Sequence, residues 1–161
     1  MSIDQHGDHV LQGMSIRKLP KVSLHDHLDG GVRPATILEL ADEAGLEVPE
    51  DTADDLADWI AERSDSGSLV EYLKTFDLTV GVMQTREGLT RVAREFVEDL
   101  AADGVIYGEV RWAPEQHLSG GLSLEEAVEA VQDGIEEGED AAEQAGHDIR
   151  VGQLITAMRH T

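Results

Sequence analysis

No cysteine occurs anywhere in the chain, which excludes disulfides and zinc centres built on thiolates. A cysteine-free composition suits a reducing compartment, so a cytoplasmic location is the expectation. Basic residues are scarce as well: 12 lysines and arginines face 34 acids, for a net charge of −22. A surface of that sign repels phosphate backbones and anionic bilayers, which makes nucleic acid and membrane poor partners. No apolar run approaches the roughly 20 residues that a membrane-spanning helix needs. Residues 1–18 carry early acids and no continuous apolar stretch, unlike a secretory signal. They read as a leader without regular structure, within which Met14 offers an alternative start.

What is present is a globular composition, 40% hydrophobic, with one domain expected over residues 19–161. The first strand is expected over Val22 to Leu28. Pro34 suits the first turn of a helix that Gly45 ends near Ala44. An acidic helix is expected over Ala53 to Arg63, and Ser68 with Glu71 reads as a capping box for a helix from Leu69 to about Met83. That helix shows Leu69, Tyr72, Leu73, Phe76 and Val80 at helical spacing. A further helix starts at Thr85 or Arg86 and is closed by Gly104, with Leu89, Val92, Ala93, Phe96, Val97 and Leu100 on one stripe. A strand follows over Val105 to Trp112, then a long helix from Leu124 to about Ala145 behind a second capping box of Ser123 and Glu126. The last strand is expected from Ile149 to about Met158. Strands separated by helices indicate parallel βα units and an α/β class.

The chemistry concentrates in His25-Asp26-His27-Leu28-Asp29-Gly30-Gly31, directly after an apolar run. On a strand of period two, His25, His27 and Asp29 share one side and Asp26 faces the other. Two neutral imidazoles side by side suit a divalent metal. Zinc, nickel, cobalt and iron all fit such a pair, and a bare H-x-H also arises by chance on strands. Catalytic zinc usually takes three protein ligands. His6 and His9 lie in the leader, His147 at a turn away from the expected site. His117 and His160 each follow a strand, where a ligand is conceivable but a loop or chain-end histidine is the plainer reading.

Leu19-Pro20-Lys21-Val22-Ser23-Leu24-His25-Asp26-His27-Leu28-Asp29-Gly30 resembles the opening signature of adenosine deaminases, a pattern far more specific than H-x-H. Three later segments agree in order and spacing: Tyr72 to Asp77, Tyr107 to Pro114, and Met158-Arg159-His160. The resemblance implies the N-terminal part, about three βα units, of a (β/α)8 TIM barrel with zinc at its C-terminal mouth. It implies hydrolytic deamination of adenosine, and of 2'-deoxyadenosine, to inosine and ammonia. It makes His25 and His27 zinc ligands, Asp29 a contact to the ribose of a purine nucleoside, and His27 a neighbour of that substrate. Tyr72 and Phe76 match the aromatic pair lining the family's apolar entrance, although i, i+4 core packing explains that spacing as well.

The resemblance also implies that residues outside the chain complete the site. The family's third histidine, catalytic glutamate and metal-binding aspartate would lie beyond Thr161, leaving no catalytic residue within these 161. A closed barrel takes about 250 residues, and three parallel strands cannot close one. The expectation is therefore an N-terminal portion of such an enzyme, inactive alone. Alternatives are a deaminase of a related adenine-containing compound, a catalytically dead half-barrel, or a zinc-binding module without a reaction. Oligomeric state is open.

Overall fold

The computed structural model describes residues 2–3, 9–12 and 14–159. The described part of the leader, expected without regular structure, forms three very short antiparallel strands: β1 (Ser2–Ile3), β2 (His9–Leu11) and β3 (Met14–Ser15). Gln12, between β2 and β3, takes φ 52°, a turn conformation.

The main sheet is β4 (Lys21–His27), β5 (Val105–Trp112) and β6 (Arg150–Ile155), parallel and in that order. Between β4 and β5 run α1 (Pro34–Ala44), α2 (Ala53–Ser64), α3 (Leu69–Val82) and α4 (Arg86–Ala102); α5 (Leu124–Gln144) joins β5 to β6. The helix ends follow the local chemistry. Pro34 opens α1 and Gly45 closes it in the left-handed region at φ 66°. Ser123 and Glu126 form the expected capping box. Ser68 accepts from the Glu71 amide, but Glu71 does not reciprocate: the Ser68 amide donates to the Ser66 hydroxyl at 3.2 Å, and Lys74 donates to the Glu71 carboxylate at 2.7 Å. The last strand stops at Ile155, short of the expected Met158.

Leu89, Val92, Ala93, Phe96 and Val97 of α4 are buried against Ala127, Ala130, Val131 and Ile135 of α5, together with Val110, Trp112 and Val151 of the sheet. On β5, Gly108, Val110 and Trp112 are buried whereas Tyr107, Glu109 and Arg111 alternate on the more open side. The strands also leave Val22, Leu24, Leu154 and Ile155 exposed. Among the described residues, no helix is long and apolar enough to cross a membrane.

The apolar stripe on α3 is not its most buried face. Thr75, Thr79 and Val82 are its buried residues, while Leu69, Tyr72 and Leu73 are exposed. Helical spacing identifies an apolar face but not what covers it. Here that face turns partly toward an open cleft.

Candidate functional site

One cleft of about 900 Å³ gathers every site residue the sequence singles out: His25, His27, Asp29, Tyr72 and Phe76. His25 and His27 stand at the C-terminal end of β4 with ring centroids 5.4 Å apart. Leu28–Gly30 then makes one 3-10 turn, which seats Leu28 in the core and sets Asp29 at the edge of the cleft. The Gly30-Gly31 pair is not demanded by backbone angle, since neither has positive φ; a Cβ at either would make only ordinary contacts. Behind the turn, Arg33 clamps α1 to α4 through both carboxylate oxygens of Asp99, at 3.0 and 2.7 Å. Thr36 and Arg91 converge on the buried carboxylate of Glu95 at 2.6 and 2.9 Å. These contacts fix the segment that carries the site.

β4 departs from strict period two. From Ser23 to Asp26 it takes three steps while β5 takes two, from Gly108 to Val110, so one extra residue is accommodated as a bulge. Asp26, expected to face away by parity, consequently lines the cleft. Its carboxylate accepts from the Ser23 hydroxyl at 3.2 Å and from the His27 amide at 3.1 Å. Those bonds occupy it locally.

Asp29 is the most unusual group. Its Oδ1 is buried without a hydrogen-bond partner among the described residues, and the His27 Nδ1 lies 3.7 Å away, beyond bonding distance. Burial pushes its pKa above the ordinary carboxylate value, against its own backbone hydrogen bond and the nearby His27 and His117. An orphaned acceptor at a cleft edge is a place for a ligand's donor.

Tyr72 and Phe76 meet edge to face, ring centroids 5.0 Å apart, at the mouth of the cleft. The far wall consists of Arg111, Trp112, Ala113 and Gln116 with residues 156–159, none of which the sequence marks as site residues. Arg111 had a signal: it alternates with buried Val110 and Trp112 on the strand beside β4. Its Nη1 lies 3.4 Å from His25 Nε2.

His117 is a core residue and not an exposed loop histidine. It is 1% exposed, sits on the 3-10 turn Pro114–His117, donates from Nδ1 to the Met83 carbonyl at 3.0 Å and packs near Trp112. His147 is exposed, and His6 and His160 lie outside the described residues. No group of three or more histidines and carboxylates able to hold a metal occurs among the described residues. The donor chemistry of His25 and His27 nevertheless fits two ligands of a divalent ion, with the remainder to come from elsewhere.

Comparison with known proteins gives the arrangement its context. The adenosine deaminase family model matches residues 20–161. Adenosine deaminase 1 of Streptomyces coelicolor is 64% identical over 146 residues, covering 90% of this chain and 37% of that protein. Among solved structures, the Arabidopsis N6-mAMP deaminase superposes with a TM-score of 0.69 at 35% identity, over 87% of this chain and 41% of that one. An amidohydrolase of Burkhoderia ambifaria with bound zinc gives 0.67 at 26% identity, over 89% and 40%. The chain thus spans about two fifths of the length of these relatives, and its sheet corresponds to the N-terminal part of their barrel. Matched by that model from the strand with the paired histidines to its last residue, the chain belongs to the adenosine deaminase family.

Proposed function

We propose that this chain is the metal-gripping, sugar-contacting part of an enzyme that hydrolytically deaminates adenosine and 2'-deoxyadenosine. The observation that carries the reading is the meeting, in one cleft, of two adjacent imidazoles and a buried carboxylate oxygen that lacks a partner among the described residues. His25 and His27 would hold zinc, whose role when bound is to activate water for attack on the purine C6. Asp29 accepts a hydrogen bond from a ribose hydroxyl, which relieves the cost of its orphaned oxygen and favours a nucleoside over a free base. Tyr72 and Phe76 form an apolar rim that excludes water and packs against the purine. His27, 3.7 Å from Asp29, borders the same substrate.

With two of the usual three zinc ligands and no catalytic glutamate identified in it, the 161-residue chain by itself should release no ammonia from adenosine. The test uses the native protein, its intact mass determined first, with ammonia release measured on adenosine, 2'-deoxyadenosine, adenine and N6-methyl-AMP. Adenosine and its deoxy form should be preferred, and a chelator should abolish turnover. His25→Ala should lose zinc and activity together. Asp29→Ala should keep its zinc and lose roughly 10- to 100-fold in kcat/KM, the value of a hydrogen bond to a charged group. Normal zinc content in His25→Ala, or a preference for free adenine, would overturn the reading.

A further inference from the structure

Arg111 faces His25 in a way that a metal-binding histidine does not ordinarily tolerate. The two side chains stand on neighbouring parallel strands, with Arg111 in register with His27 and reaching back to the earlier ring. Its Nη1 is 3.4 Å from His25 Nε2. A guanidinium has donors and no acceptor, so in this contact the ring nitrogen must be the acceptor. A neutral imidazole owns one lone-pair nitrogen, the other carrying the proton. When Arg111 donates to Nε2, the proton sits on Nδ1 and no lone pair remains for a metal at either nitrogen.

We propose that Arg111 sets metal occupancy at the histidine pair: its guanidinium and a divalent cation compete for the single lone pair of His25. The inference rests on the metal-site reading given above and adds a residue that acts through a ligand, as a positioning residue. Two effects follow from one group. Without an ion, Arg111 holds the His25 ring beside His27 in the Nδ1–H tautomer. Toward an ion, it imposes a penalty, because the hydrogen bond must break and a second positive charge must stay nearby. Since that penalty is the same for every divalent ion, it removes weak imidazole binders such as magnesium and calcium and leaves zinc-like ions able to load. Among the described residues no arginine donates to the His27 ring, whose Nδ1 is turned toward Asp29 at 3.7 Å.

The test has two readouts, both on the chain as it stands. Long-range proton–nitrogen NMR of chelator-treated protein, above the ordinary imidazole pKa, reports the tautomer of His25. The Nδ1–H form should dominate, and Arg111→Gln should shift the population toward Nε2–H. Cobalt(II) titration, followed by its absorption spectrum, should show Arg111→Gln and Arg111→Met binding on the order of ten-fold more tightly than the parent chain. An arginine with a merely structural role would weaken binding when removed. An Nε2–H His25 in the parent chain overturns the proposal without any variant. Unchanged or weaker cobalt binding in both Arg111 variants, with His25→Ala still abolishing it, overturns the proposal and leaves the metal site standing. Equal cobalt binding by His25→Ala, His27→Ala and the parent chain, or none by the parent chain and the Arg111 variants alike, overturns the metal-site reading itself.

Discussion

Burial holds the His117 ring below its ordinary pKa: desolvation disfavours the charged form by more than the Met83 carbonyl and nearby Asp29 favour it. The consequence for stability has a definite sign. In the unfolded chain His117 takes a proton near the usual value of about 6.5, whereas the buried ring does so only at lower pH. Between those two values the unfolded state binds more protons, so stability falls as the pH drops. Thermal unfolding from about pH 7.5 to about pH 5.5 should show a decline in Tm that is smaller in His117→Gln, whose amide can still donate to Met83. Equal declines would mean that the ring titrates freely in the folded chain. At this scale the sequence was informative where the chemistry is contiguous. His25, His27 and Asp29 are one short segment, and Tyr72 and Phe76 one helical turn. It was silent where a partner comes from far along the chain. His117 is buried because Met83 and Trp112 surround it, and Arg111 matters because a strand 86 residues away brings His25 to it.

Elements were legible through their ends and less so through their faces. Prolines, serine caps and glycines mark α1, α4 and α5 to within a residue or two, because capping is local chemistry. The bulge in β4 was not legible, since it is a relation between two strands and not a property of one; it lies directly before Asp26, which lines the cleft. The spacing on α3 marked an apolar stripe, but not which face the neighbouring helices cover. The α4–α5 contact shows what a pairwise constraint costs. An added Cβ at Gly134 would lie 2.2 Å from the Thr90 carbonyl oxygen and 2.8 Å from the Ala93 Cβ. Alanine has the better helix propensity by about 1 kcal/mol, but overpacking against a backbone oxygen costs about 1–3 kcal/mol and forces the helices apart. Packing should therefore win. Gly134→Ala should lower the urea midpoint at unchanged m, and a raised midpoint would show that the two helices do not meet at this residue.

Charge acts on the molecule as a whole. Arginine-centred networks such as Arg33 with Asp99, Arg86 with Asp133 and Arg91 with Glu39 tie the helices together, but 12 basic residues cannot neutralise 34 acids. The remaining charge of −22 repels itself in the compact state far more than in an expanded chain. Salt shortens that repulsion, from a screening length of about 10 Å at 0.1 M to about 3 Å at 1 M, while the shortest ion pairs are affected much less. Stability should therefore rise with sodium chloride, with Tm about 5 °C or more higher at molar than at low salt. Chloride is the informative anion, because sulfate would add stability merely by its exclusion from the surface. The same screening lets exposed Val22, Leu24, Leu154 and Ile155 of neighbouring molecules approach, so sedimentation velocity at each salt concentration must accompany the melts. A rise in Tm that persists on dilution belongs to the chain itself, and one that vanishes belongs to association. A fall in Tm with salt would mean that the arginine networks outweigh the net repulsion, and that the acid-rich surface carries no stability cost.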